Sequence, residues 1–417
     1  MYPPVVVVLA ALLSMSAQAQ ELSLAEAQAI AARAAPQLLA QGAAIRAARE
    51  AVGPASELPD PRLIAGVENL PVDGGDRFSL TRDFMTMRKI GVMQDFPREE
   101  KRRLRGERAE AEARREQVLL AVSEANLKRD VALAWIDTWS AERQLALLGD
   151  LGRESSLNVT ASEAALAGGR GSAAEPFAAR LASEQLADRT IEARRLAARG
   201  REQLARWIGR DASRPLDAAP DFSRLAHGHD DLLGQLEAHP HLAMYVPMQE
   251  MAEVEVRLAE AAKRPDWSVE LAYAQRGPAY SNMLSIGVRI DLPILEARRQ
   301  SPMVASKLAA AEQVRAQAED ARRAHLAEVR SLLSDWRAAH ERVRRFESVQ
   351  IPLARERARA ALAGYGGGHG DLAPVLEAQR AQIETLLAQL QAQVEGARAW
   401  AQINFLLPDV DMRKGKP

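Results

Sequence analysis

Along this chain the apolar positions follow a helical period, switch to alternation, return to a long helical run, and then repeat that order. Residues Ser23 to Ala51 read as helix, with Ser23 as N-cap and Glu26, three residues on, as its capping-box partner. Pro36 can start a new segment within it. Pro59-Asp60-Pro61 ends it, because a residue before proline avoids the helical region. Alternation follows. It is imperfect at Leu63, Ala65 and Val67, clearer over Lys89 to Phe96, and plain further on. There Val269, Leu271 and Tyr273 alternate with Ser268, Glu270 and Ala272, and Leu284, Ile286, Val288, Ile290 and Leu292 alternate with Ser285, Gly287, Arg289 and Asp291. A period of two gives one apolar and one polar face, so two strand pairs are predicted, at about 62–96 and 267–292. Gly74-Gly75 and Gly277-Pro278 fall in their connecting loops.

Long helices are predicted next, over 98–167 and 303–363, with return helices over 176–208 and 374–405. Glycine clusters at 168–171 and 366–370 separate each pair, and Pro352 is expected to kink or interrupt the second long helix. Leu376, Ile383, Leu387, Leu390 and Val394 hold coiled-coil spacing on the last leg. From Pro97 to Gly168 and from Pro293 to Gly364 the separation is the same (168 − 97 = 71; 364 − 293 = 71). A helix of that length reaches roughly 105 Å, far beyond a compact domain.

The two runs are a duplication. Asp95-Phe96-Pro97 recurs as Asp291-Leu292-Pro293, and Ala164 to Gly168 recurs as Ala360 to Gly364, both at one offset (293 − 97 = 196; 364 − 168 = 196). Pro36 matches Pro240 and Pro61 matches Pro265 at another (240 − 36 = 204; 265 − 61 = 204), so the longer connection of the first half lies between Pro61 and Pro97. The expected organisation is a signal peptide at 1–19, a first repeat at 20–215, a second at 216–410 and a tail at 411–417.

Composition removes several classes. There is no cysteine, which excludes disulfides, thiolate metal sites, cysteine nucleophiles and a lipoprotein anchor on an N-terminal cysteine. With 55 Lys+Arg against 56 Asp+Glu, bulk charge gives no case for nucleic acid. Val5 to Leu13 is an apolar run too short to span a bilayer, and Ala17-Gln18-Ala19 offers a small-x-small cleavage site, so export is expected. No later run reaches 18 apolar residues; an exported chain of this kind stays soluble or enters a membrane as strands. Four strands cannot close a barrel and open edges are not tolerated in lipid, so two or three chains would have to combine.

On these elements the chain resembles the TolC-like outer membrane efflux proteins. The residues that carry the resemblance are the repeat, the strand pairs closed by Asp95-Phe96-Pro97 and Asp291-Leu292-Pro293, and the tip Ala363-Gly364-Tyr365-Gly366-Gly367-Gly368 running into Val375-Leu376-Glu377-Ala378-Gln379. The stretch from Asp60-Pro61-Arg62 through Asp83-Phe84-Met85-Thr86-Met87 to Asp95-Phe96-Pro97 is most similar to the heavy-metal branch, of copper/silver and cobalt–zinc–cadmium type. The resemblance implies a mainly α fold with β: duplicated long helical hairpins forming a periplasmic α-barrel, and four strands per chain contributing to a trimeric 12-stranded outer-membrane β-barrel. It implies a homotrimer in outer membrane lipid of a Gram-negative bacterium, and a passive exit duct served by a periplasmic adaptor and an inner-membrane RND-type transporter. No cofactor, metal or nucleic acid is implied. A periplasmic adaptor or helical scaffold is the alternative, although an adaptor would carry one hairpin flanked by small β-domains. An enzyme is not expected, since no zinc-hydrolase spacing and no phosphate-cradling glycine loop occur.

The resemblance also implies a periplasmic gate at the glycine-rich tips, built in the family on a Tyr–Gly–Arg–Asp–Asp order. Here Tyr365 and Gly368 match the tyrosine and glycine, and Glu377 the second acid; Gly370 and Pro374 replace the arginine and first acid. The first tip has Phe177 at its acidic position, with Glu175 and Arg170 nearby. The expected gate residues are therefore Tyr365, Glu377 and Arg170. Elsewhere, His227-Gly228-His229-Asp230-Asp231 and His239-Pro240-His241 offer imidazole and carboxylate ligands, but read more simply as solvated residues capping the next helix. Met85, Met87 and Met93 read as loop or barrel packing rather than soft-metal ligands, and Trp135, Trp139 and Trp336 as core anchors of the long helices. The Arg/Glu runs over Arg98 to Arg115 read as solvated helix faces.

Overall fold

A computed structural model describes residues 21–226, 228–367 and 370–406. The expected signal peptide at 1–19, the tail at 411–417, His227 and Gly368 lie outside the described residues. The chain is mainly α with one four-stranded antiparallel sheet, and it divides into two compact units, each described by itself below.

One unit comprises residues 36–125 and 230–328, with Leu406. It holds α2 (Pro36–Glu50), α3 (Val52–Ser56), β1 (Arg62–Glu68), β2 (Met87–Phe96) and the first part of α4 (Glu99–Ala167). From the second half come most of α6 (His229–Gly234), α7 (Pro240–Ala243), α8 (Tyr245–Ala261), β3 (Trp267–Gln275), β4 (Met283–Ile290) and the first part of α9 (Gln300–Arg345). The strands lie in the order β1-β2-β3-β4, so the two predicted pairs join through β2 and β3 into one sheet. Register follows the alternation: Leu63 faces Val92, Val92 faces Leu271, and Leu271 faces Ile286. Gly91 opposes Ala272, and a Cβ there would lie 2.7 Å from the alanine Cβ, so the glycine lets β2 and β3 approach. At the sheet end Phe96 stacks on Trp267 with ring centroids 4.3 Å apart. Asp266 then receives the start of α4: its carboxylate accepts from the Arg98 backbone N–H at 3.0 Å and from Lys101 Nζ at 2.9 Å, which satisfies an orphan helix-start donor.

The other unit comprises residues 21–35, 126–229 and 329–405 and is almost wholly helical. It holds α1 (Leu24–Ala34), the rest of α4, α5 (Ala174–Ile208), the end of α9, α10 (Ile351–Gly366) and α11 (Leu372–Asn404). The helix expected from Ser23 to Ala51 is broken at Ala35, whose extended backbone (φ −68°, ψ 109°) is what the following Pro36 demands. Ser23 Oγ does accept from the Glu26 N–H at 3.2 Å, but the Glu26 carboxylate does not return the bond. It pairs instead with Arg214 at 2.8 Å, so the capping box is half made. Trp135 and Trp336 act as anchors, though of the flanking chain rather than of their own helices: their indole N–H groups donate to the carbonyls of Leu22 (3.1 Å) and Phe222 (2.9 Å). Gly200 on α5 meets Thr138, and Gly396 on α11 meets Ala339, so each return helix presses closely on its partner at a glycine.

The equal spacing of the sequence landmarks conceals a shift. α4 begins two residues after Pro97, whereas Pro293 to Arg299 forms a run of turns and α9 begins seven residues after Pro293 (99 − 97 = 2; 300 − 293 = 7). Trp135 and Trp336 are consequently offset by 201 rather than 196 (336 − 135 = 201). The second long helix is also not uniform, since residues Phe346–Gln350 form a π turn immediately before Ile351 and Pro352. A proline lacks the N–H of the regular ladder, and a widened turn ahead of it absorbs that loss without ending the helix.

Candidate functional site

Two places in the fold combine exposed surface with specific chemistry. In the first unit it is the sheet. One face carries Leu63, Ile90, Val92, Leu271, Ile286 and Val288, each between 48% and 72% exposed. A sheet that turned this face inward would bury it; in the chain as described it has no cover. The opposite face is polar and internally paired. Lys89 Nζ lies 3.0 Å from Glu68 and 2.7 Å from Glu270, Arg289 approaches Glu270 at 3.9 Å, and Arg62 pairs with Asp95. Three cations and three anions thus alternate across the strands and cancel. Met93, one of the three methionines considered as soft ligands, is buried on this face and accepts from Arg289 at 3.3 Å, which is packing. Among the described residues both outer strands, β1 and β4, have one edge without a strand partner.

In the second unit it is the pair of helical turns. α4 ends at Ala167, and Gly169 (φ +73°) and Gly171 (φ +85°) take left-handed conformations that a side chain would strain. Ser172 Oγ then accepts from the Ala174 N–H at 3.2 Å and starts α5. Beneath the turns Ala179, Leu372 and Val375 form a buried cluster against which Tyr365 packs. The Tyr365 hydroxyl donates to Glu175 Oε2 at 3.2 Å, a bond from the second turn to the first. Burial pushes the Tyr365 hydroxyl above its ordinary pKa, the Glu175 charge and hydrogen bond add to the rise, and the Arg170 charge offsets part of it. A second tie crosses between the hairpins: Asn158 Nδ2, almost fully buried, donates to Gln379 Oε1 at 2.6 Å.

Of the three residues expected at the tips, Tyr365 bonds Glu175 and feels the Arg170 charge, and Glu377 pairs elsewhere. Glu377 pairs with Arg357 at 2.6 Å, both largely exposed, and so links α10 to α11 within one hairpin. The first hairpin has a matching link with the signs exchanged, Glu163 on α4 to Arg180 on α5. Phe177 is 70% exposed. Glu175, which the sequence marks only as a neighbour of the tip, carries its signal in its place in the first turn of α5, where a carboxylate is favoured. The Asn158–Gln379 bond had no sequence signal.

The histidines divide. His239 and His325 are buried and touch, with His239 Nδ1 2.6 Å from His325 Nε2, so His239 is not a solvated cap. Among the described residues no group of three or more His, Asp or Glu side chains is gathered as a metal-ligand set, and no helix is long and apolar enough to cross a membrane.

The sequence matches no family model and no curated protein. Among solved structures, the chain is similar to CusC, in structures that concern folding and transmembrane channel formation, at 15% identity and TM-score 0.77 over 92% of both chains. It is similar to the outer membrane protein VceC of Vibrio cholerae, at 18% identity and TM-score 0.77 over 92% of this chain and 95% of that one. The open state of the MtrE outer membrane channel of Neisseria gonorrhoeae matches at 17% identity and TM-score 0.76, over 92% and 88%. At these identities what is shared is the fold.

Proposed function

We propose that the chain is one protomer of a passive outer membrane exit duct, the last element of a tripartite efflux pump. The observation that carries this reading is the sheet, with an exposed apolar face, an internally neutralised polar face and two open edges. Lipid covers an apolar face without cost, and water in a lumen solvates the polar one. Open edges in lipid leave backbone groups unsatisfied at several kcal/mol each, so the edges must meet those of other chains. Three copies of four strands make a 12-stranded barrel, an even number within the range such barrels use. The fold shared with CusC, VceC and MtrE supports the same reading, and makes a periplasmic adaptor or scaffold the poorer one.

The duct works with a periplasmic adaptor and an inner-membrane RND-type transporter, and the chain is exported by its N-terminal segment. Its cargo is heavy-metal cations, a reading that rests on the similarity of residues 60–97 to that branch. Tyr365, Glu175 and Arg170 belong to a gate at the tips, with Glu377 supporting one hairpin through Arg357. Nothing in such a duct requires catalysis or a resident cofactor. The mass of the detergent-solubilised protein tests the assembly: a trimer is expected, and a stable folded monomer overturns it. A null mutant tests the cargo, with sensitivity to copper, silver, cobalt, zinc or cadmium expected and sensitivity to organic drugs alone counting against it.

A further inference from the structure

We infer that His239 and His325 form a binding site for one divalent transition-metal cation of the zinc class, with Glu328 orienting one of the two ligands. Imidazole nitrogen suits zinc, copper, nickel and cobalt ions. His239 sits in extended backbone just ahead of α7 and is fully buried; His325, on α9, is 8% exposed. Their rings meet edge to face at 84°, with Nδ1 of the first 2.6 Å from Nε2 of the second. On its other side His325 presents Nδ1 to Glu328 Oε2 at 3.3 Å, one helical turn on. A carboxylate at one ring nitrogen holds the proton there and leaves the other nitrogen with its lone pair facing outward. That is the arrangement of a carboxylate–histidine–metal triad. Nε2 of His325 is therefore the acceptor, and His239 Nδ1 carries the proton between them.

A cation takes the place of that proton, which moves to Nε2 of the same ring, so both ligands remain neutral imidazoles. Two metal–nitrogen bonds of about 2.0–2.1 Å at a tetrahedral angle set the nitrogens about 3.3 Å apart. The present 2.6 Å gap must therefore open by about 0.7 Å, which a ring rotation at each histidine supplies. Among the described side chains His241, whose ring lies 6.5 Å from that of His325, is a further imidazole close by, and water would complete the coordination. A buried pair of this kind is unlike the solvated cap that the sequence suggests. None of its residues belongs to the sheet, and it would bind its ion rather than conduct it. It therefore stands independently of the proposed function.

The test is titration of the full-length, chelator-treated, detergent-solubilised protein with Co²⁺, read by visible absorption and by displacement with Zn²⁺. One equivalent per chain is expected, lost in His239→Gln and His325→Gln and unchanged when His227 and His229 are both replaced by Gln. Glu328 is 59% exposed, so Glu328→Gln leaves the fold intact and decides the matter even if the buried variants do not fold. It should weaken binding about 10–100-fold. Absence of saturable binding overturns the site. So does affinity unchanged in Glu328→Gln, or binding that disappears only with His227 and His229.

Discussion

Removing the Tyr365 hydroxyl isolates a polar bond that, among the described residues, ties the second turn to the first. Tyr365→Phe keeps the ring against Ala179, Leu372 and Val375, so the apolar cluster survives and only the 3.2 Å bond to Glu175 is lost. A hydrogen bond to a charged group is worth about 1.5–3 kcal/mol, and partial exposure of both partners brings this one to about 1 kcal/mol. In the proposed trimeric duct three such losses sum to about 3 kcal/mol, which would shift the closed-to-open ratio of the proposed gate by about two orders of magnitude. Single-channel recording in a planar bilayer reads that shift as a rise in open probability, and Glu175→Gln should reproduce it. Glu377→Gln is the control. Its partner Arg357 lies in the same hairpin and both are largely exposed, so the pair contributes about 0–1 kcal/mol and bears little on the turn-to-turn tie. The pH dependence has a definite sign. Because the folded-state pKa of Tyr365 is raised, its contribution is complete below the ordinary tyrosine value and is lost only as pH rises through the raised one. Conductance should therefore be insensitive to this group between about pH 6 and 9. Unchanged open probability in Tyr365→Phe, with a rise in Glu377→Gln, would refute the assignment.

Three further outcomes follow from single contacts. Gly91→Ala puts a Cβ 2.7 Å from that of Ala272 and 2.8 Å from the Leu271 carbonyl oxygen, so β2 and β3 must part; heat-stable oligomers on gels should be lost, and normal oligomers would contradict the close approach. Trp135→Ala empties a fully buried site and removes the bond to Leu22, for a loss of about 3–5 kcal/mol by denaturant unfolding. Glu26→Gln breaks the pair with Arg214, whose hydrogen bond holds the Glu26 carboxyl below its usual range. A lowered folded-state pKa gives stability that is present above the ordinary value and lost as pH falls through the lowered one. The thermal midpoints of parent and variant should thus differ at neutral pH and converge in acid; a gap that widens in acid would contradict the pairing.

What the sequence makes legible here is what repeats at short range. Alternation at Leu284, Ile286, Val288 and Ile290 is local, and a slip of one residue would turn every one of these side chains to the other face, so the strands and the face each side chain shares could be read directly, whereas the pairing register could not. The glycine turns are equally local, because Gly169 and Gly171 take backbone conformations that few other residues adopt. The long helices were legible as lengths but not as phases. A helix turns about 100° per residue, so the five extra residues between Pro293 and α9 rotate every later side chain by about 500°, a net 140°. The π turn at Phe346–Gln350 adds a further shift. Landmarks at a constant offset of 196 therefore match in sequence while their helices differ in facing.

The tips illustrate the consequence. Tyr365 was identifiable because it lies within a turn motif, but its partner depends on how two helices are rotated 190 residues apart (365 − 175 = 190). Phe177, at the position matched to an acid, is 70% exposed, and Glu175, two residues earlier and about 200° around α5, supplies the carboxylate instead. The carboxylate that meets Tyr365 thus lies in the first tip, two residues before the matched position. Glu377, which matched its acid in sequence, is drawn to Arg357 across its own hairpin. Position in a motif marked which turn carries the chemistry. Helix phase decided which acid reaches the tyrosine.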